Sequence, residues 1–251
     1  MRILLINPNT SAAITESLAA RVRQIAGPGV TILPVTGRFG ARYISSRAAA
    51  AIAGHAALDA LAQHVADCDA VYLACFGDPG LAALKEVSPA PVVGMAEASV
   101  QAACGFGRRF AIVTGGAAWG PMLKELVAGF GVSDRLAAIR TIEQSGDEIA
   151  RNPRAALDGI VSACNACANQ DGADSIILGG AGLAGLAAAV QRAVAVPVIC
   201  SVEAGARAVL AAYDPSRHVG SSPATGSVGL SVALAELRKG VKASKHCWRR
   251  V

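Results

Sequence analysis

Aromatic residues make up only 4% of this chain and charged residues only 16%. So few aromatics argue for helices packed closely on sheets and against an aromatic-rich binding surface. No run of 18 or more apolar residues lacks a glycine, proline or polar interruption, so no transmembrane helix and no membrane partner are expected. The apolar run Ile3-Leu-Leu-Ile6 is too short for a signal-peptide core and stops at Asn7-Pro8-Asn9, which predicts a cytoplasmic protein. The seven cysteines are odd in number and scattered, which argues against a disulfide framework. Cys164-Asn-Ala-Cys167 is a lone CxxC with no second pair, and the four histidines have no partner pattern, so no metal is expected. Gly179-Gly-Ala-Gly182 lacks the GxGxxG spacing and downstream acid of a nucleotide loop, and no cofactor is indicated. The net charge of +5 is dispersed, densest in the tail from Lys239 to Arg250, and no recognised module accompanies it. A nucleic-acid partner is therefore not expected.

What is present is a large apolar fraction, 53% of 251 residues, arranged as short strands alternating with Ala-rich helices. That length allows one large α/β domain or two small ones. Strands are expected at 2–6, 30–35, 71–75 and 91–94, separated by helices at 12–25, about 48–65, from 81, and from about 97. Ser11 or Thr10 is placed to cap the first helix. The pattern then restarts at Arg109-Phe-Ala-Ile-Val-Thr114, with further strands near 137–142, 175–178 and 197–200. Three collinear segments repeat at offsets of 105, 106 and 107: Asp69–Gly77 over Asp174–Gly182, Pro91–Ala98 over Pro197–Ala204, and Ile3–Asn7 over Phe110–Thr114. The expected fold is α/β, with two pseudo-symmetric halves facing each other across a cleft, each a mainly four-stranded parallel sheet flanked by helices. Residues 1–100 plus about 213–251 form the first half, with the segment after Ser227 folded back onto it, and 101–212 form the second.

The segment Val71-Tyr-Leu-Ala-Cys75-Phe-Gly-Asp-Pro-Gly80-Leu81 carries the chemistry. A buried strand ends in a cysteine, a turn follows, and a helix begins, and in open α/β sheets ligands bind beyond the carboxyl ends of the strands. A nearby helix N-terminus is expected to favour the thiolate and bring the thiol pKa from about 8.5 toward the working pH. Amides of the Gly-rich loops are expected to hold an enolate oxygen. Asn9 and Thr10 after the first strand can bond a ligand carbonyl or cap the helix. Thr114 and Gly115, at the equivalent strand end, should face the ligand from the second half.

Ile6-Asn-Pro-Asn-Thr-Ser11, Cys75-Phe-Gly-Asp-Pro-Gly-Leu81, Val93-Gly-Met-Ala-Glu97 and Asp174-Ser-Ile-Ile-Leu-Gly-Gly-Ala-Gly182 resemble the Asp/Glu/hydantoin racemase family, most nearly its hydantoin and allantoin racemases. The likeness extends to about residue 212. It implies a cofactor-independent enzyme acting at the α-carbon of a hydantoin, allantoin or amino-acid-like small molecule, with two cysteines as acid and base on opposite faces. It also implies substrate contacts from Ile44 and Ser45, from Phe76 and Gly77, and from Gly180 and Ala181, and a homo-oligomer is expected. Cys75 matches the first catalytic cysteine. Gly180 stands where the second is expected, and Cys200, where the family commonly has aspartate, is either an inert thiol or a substitute acid. Three readings follow: a racemase-like enzyme, a one-cysteine decarboxylase of α-substituted malonates protonating one face, and a catalytically silent member, natural or by a Cys→Gly change, that only binds ligand.

Overall fold

The computed structural model describes residues 1–213 and 229–238. The first half runs β1 (Arg2–Asn7), α1 (Ala12–Ala26), β2 (Thr31–Thr36), α2 (Arg47–His64), β3 (Ala70–Leu73), α3 (Leu81–Val87), β4 (Val92–Gly94) and α4 (Met95–Cys104). The second half runs β5 (Phe110–Gly115), α5 (Trp119–Gly129), β6 (Leu136–Ile142), α6 (Gly146–Arg151), α7 (Pro153–Asn169), β7 (Ser175–Gly179), α8 (Ala187–Gln191), β8 (Val198–Cys200) and α9 (Ser201–Ala211). A last helix, α10 (Val232–Arg238), packs on α2 and puts Leu234 and Leu237 into the first half's core.

Each half holds a parallel four-stranded sheet, ordered β2-β1-β3-β4 in the first and β6-β5-β7-β8 in the second. The same order of crossovers in both halves fits the repeat seen in the sequence. The central strands β3, β5 and β7 are buried along their whole length, as is β1 after Arg2. Their apolar runs are continuous because helices cover both faces. The edge strands β2 and β6 are mostly half-buried, and their sequences are correspondingly mixed.

One hydrogen-bonding device starts each half's third strand. The Asp69 carboxylate accepts from Arg2 N at 2.6 Å, and its own N–H donates to Arg2 O at 2.8 Å. Asp174, 105 positions later, accepts from Arg108 N and Arg109 N at 2.7 and 2.9 Å, and donates to Arg109 O at 2.8 Å. A repeated helix–strand alternation alone does not require the same carboxylate-to-backbone lock, which argues for a true duplication.

The halves share one core. Tyr72, Met95, Phe110, Ile177 and Val202 belong to a single buried cluster, and α9 packs on both α1 and α4. Buried Tyr72 donates to Val202 O at 3.3 Å across the junction, and Gly205 is small because a Cβ there would strike the Tyr72 ring. The Arg21–Glu203 and Arg47–Glu125 ion pairs add polar ties across the halves. Among the described residues no helix is long and apolar enough to cross a membrane.

Candidate active site

A cavity of about 300 Å³ opens between the halves at the carboxyl ends of β1, β3, β5 and β7. Its wall takes in Asn9, Ile44, Cys75, Phe76, Thr114, Gly180 and Ala181 among the residues expected from the sequence. Thr10, Ser45, Gly77, Gly115 and Cys200 lie off it. Thr10 N instead bonds Ala41 O at 3.1 Å, and Gly115 O accepts from the Tyr43 hydroxyl at 3.4 Å. Cys200, at the end of β8, is buried in the shared core instead of facing the cavity, which leaves it no path to a ligand there.

The β1 end is rigid. Asn7 Nδ2 donates to Asn9 Oδ1 at 2.8 Å and to Thr15 Oγ1 at 3.0 Å, and Ser11 N also donates to Asn9 Oδ1 at 2.9 Å. Asn9 is thus an Asx turn at the start of α1 and a cavity residue at once, with Ser11 as the cap. Because Asn9 Oδ1 is used twice by neighbouring donors, its NH2 is the end left for a ligand oxygen.

The thiol does not behave as expected from the sequence. Cys75 is half-buried, and its pKa is pushed up to about 12, first by burial and then by the Asp78 carboxylate. The helix argument fails for a structural reason. α3 begins only at Leu81, and the start of α4 is occupied by Asp78, whose Oδ1 and Oδ2 accept from Ala96 N and Glu97 N at 3.0 and 2.7 Å. The favourable end of that dipole is spent on a carboxylate, so the resting thiol is neutral. With a pKa of about 12, roughly one thiol in 10⁵ is ionised at pH 7.

At the other strand end the two glycines have different causes. A Cβ on Gly179 would run into the Phe76 ring, which reaches across from the first half. Gly180 has φ of 114°, yet the nearest atom to a Cβ there is Thr114 Oγ1 at 3.9 Å. Backbone conformation, not space, favours glycine at this position. Its N–H donates to Ser201 Oγ at 3.0 Å, so that amide is not available as an oxyanion donor.

Three contributors were missed in the sequence. Tyr43 lines the cavity from the loop after β2. Its hydroxyl donates to Gly115 O and accepts from Trp119 Nε1 and Gly146 N, both at 3.2 Å. Trp119 is the second. The third is α6, which brings Asp147 and Arg151 to the wall as a mutual ion pair. Ser145-Gly-Asp-Glu148 is a capping box, and its S-x-x-E signature was legible ahead of Ile149. No group of three or more metal-ligating side chains occurs among the described residues.

Residues 3–209 match the sequence profile of the Asp/Glu/hydantoin racemase family. A hydantoin racemase of Paenarthrobacter aurescens is 37% identical over 209 residues, spanning 82% of this chain and 89% of the relative. The crystal structure of an allantoin racemase from Pseudomonas fluorescens superposes with a TM-score of 0.84 at 29% identity, covering 91% of this chain and all of that one. A mutant arylmalonate decarboxylase shares the fold at 16% identity, with a TM-score of 0.66 over 86% of this chain and 94% of that one.

Proposed function

The chain belongs to the Asp/Glu/hydantoin racemase family and is an enzyme of its racemase/isomerase type; from that premise we propose that it moves a proton at the α-carbon of a hydantoin-like cyclic ureide, with Cys75 as the single acid/base. The observation that carries this reading is that Cys75 and Gly180, at equivalent strand ends of the two halves, line one cavity and only one of them bears a thiol.

The chemistry follows from the states of the groups. In exchange, the Cys75 thiolate takes the α-proton and the electron pair remains as an enolate. The enolate oxygen accepts a hydrogen bond from the Asn9 amide, and the neutral thiol, once its proton has exchanged with solvent, returns one to carbon. With glycine at 180 the return comes from the same face, so isotope exchanges without inversion. Substrate charge is constrained by the wall. Its charged residues, Asp147 and Arg151, neutralise each other, so a neutral heterocycle suits it better than a zwitterion or a dianion.

One observation favours a second reading. A thiol held neutral near pKa 12 is a ready acid and a scarce base. A reaction in which loss of carbon dioxide from an α-substituted malonate leaves the carbanion needs only the acid. The neutral wall weighs against a malonate dianion, so ureide exchange remains the first reading and decarboxylation the second. NMR in deuterated water tests both with hydantoins, allantoin and an aryl-substituted malonate. Deuterium at the α-carbon with retained configuration supports the first reading, and product with one-face deuteration from the malonate supports the second. Absence of exchange and decarboxylation in every substrate overturns catalysis at Cys75.

A further inference from the structure

Three residues after the thiol, Asp78 has φ of 43°, and it is the one non-glycine residue with positive φ among the described residues. Such a backbone is strained for an L-residue and persists only where its surroundings hold it. Asp78 is also 5% exposed, an unusual place for a carboxylate. What holds it is a complete set of bonds. Oδ1 and Oδ2 take the first N–H groups of α4, from Ala96 and Glu97. Its own N–H donates to Cys75 O at 3.1 Å, Gly77 N donates to the same oxygen at 2.9 Å, and its carbonyl accepts from Leu81 N at 3.1 Å. Gly94 makes room, since a Cβ there would run into the carboxylate.

The second half shows that the fold does not need this clamp. The position 105 later is Leu183, and among the described residues no side chain caps the start of α9. There Ser201, at the first position of α9, accepts from Gly180 N instead. The charged clamp therefore accompanies the thiol-bearing strand end and is missing from the one without a thiol.

We propose that Asp78 is the positioning residue of Cys75: its carboxylate pins the Cys75–Gly77 turn to the start of α4 and so sets a charge beside the thiol. This rests on Cys75 as the proton-transfer group. The groups facing Asp78 are few. Tyr72 on β3 and Cys75 on the turn are both raised, first by burial and then by its charge, and Cys200 lies within reach of Tyr72. Glu97 on α4 opposes ionisation of Asp78 and is itself paired with Lys85 of α3 at 2.7 Å. Burial first, and Glu97 second among the raising influences, bring Asp78 to about 7 against the pull of the α4 N–H groups. Above that pH the carboxylate is charged beside the thiol.

The test reads Cys75 directly and needs no substrate. Full-length wild type, Asp78→Asn and Asp78→Ser are alkylated with iodoacetamide between pH 7 and 11. Modification of the Cys75 peptide is followed by mass spectrometry, and folding by circular dichroism melts. Both substitutions remove the charge, and serine retains an oxygen that can accept one α4 N–H. The expected result is a Cys75 alkylation profile displaced to lower pH, with at least a twofold faster rate at pH 9 in each folded variant. A lowered melting temperature with an unmoved or upward-moved Cys75 profile overturns the proposal, because it reduces Asp78 to a structural cap. Failure of the wild type to exchange any substrate proton bears on the proposed activity and leaves this measurement intact.

Discussion

The two strand ends that meet the cavity were built from one plan and now differ in kind. At the β3 end a thiol sits on a turn that reaches down to the next helix through the carboxylate of Asp78. At the β7 end Gly180 offers no side chain in the thiol's place, and the next helix reaches up to the turn through the hydroxyl of Ser201. The first end carries a charge next to an ionisable group, whereas the second is neutral and has backbone that only glycine adopts easily. Duplication thus supplied two equivalent platforms, and the chemistry available to each depends on a few residues after the strand. The sharpest way to break the comparison is to remove the thiol. Cys75→Ser should reduce α-proton exchange about 10²–10⁴-fold, the usual worth of a positioned acid/base, with little change in the melting temperature. Exchange that survives intact would move the chemistry to some other group.

The next effect concerns the charge at the β3 end alone. Asp78 is raised from the ordinary aspartate value near 3.8 to about 7, chiefly by burial. Between those values the unfolded chain gives up this proton while the folded chain keeps it. Its contribution to stability is therefore fully present below about pH 4 and is lost as pH rises through 7. A shift of that size corresponds to about 4 kcal/mol across the window. The stability of the wild type relative to Asp78→Asn, from urea denaturation, should fall by that order between pH 4.5 and 7.5. A difference that is flat with pH would contradict the raised carboxyl. Leu183, the counterpart in the second half, has nothing to titrate.

At the β7 end the informative substitutions are Gly180→Ala and Gly180→Cys. Either must hold a side chain at φ near 114° or shift the turn, at about 1–3 kcal/mol, or several degrees in melting temperature for a chain of this size. The two should lose stability equally, because the space itself is open. Inversion at the α-carbon, followed by polarimetry, should appear only in Gly180→Cys. If both are destabilised and neither inverts, the backbone of the turn, and not just the missing thiol, separates the halves.

The sequence made much of this asymmetry visible. The two sheets, their strand ends and Cys75 were readable because buried parallel strands are continuous apolar runs and because the repeat aligns Cys75 with Gly180. The acidity of the thiol was not readable. Its sign depends on whether a helix start faces the sulfur or a carboxylate, and Asp78 acts through Ala96 and Glu97, far along the chain. Cys200, at a strand end, could be read as an inert thiol or as a substitute acid. Its burial in the shared core follows from packing between the halves, to which strand periodicity is blind. Tyr43 and Trp119 meet only through the tertiary fold, whereas α6 had a local signature in Ser145 and Glu148.

The smallest expected effect concerns how the halves are joined over the cavity. After β2 the first half sends out an irregular loop, while after β6 the second half forms the short helix α6. Tyr43 couples the two, since its one hydroxyl serves Gly115 O, Trp119 Nε1 and Gly146 N, the last at the start of α6. Tyr43→Phe keeps the ring against the wall and leaves these partners unserved, at about 1–2 kcal/mol because the site is only partly buried. The Arg47–Glu125 pair joins the same loop region to α5 but is exposed on both sides, where ion pairs contribute little. Arg47→Ala should therefore lower the melting temperature less than Tyr43→Phe does. The reverse order would mean that charge at the rim, and not the buried hydroxyl, holds the first half's loop over the second half's platform.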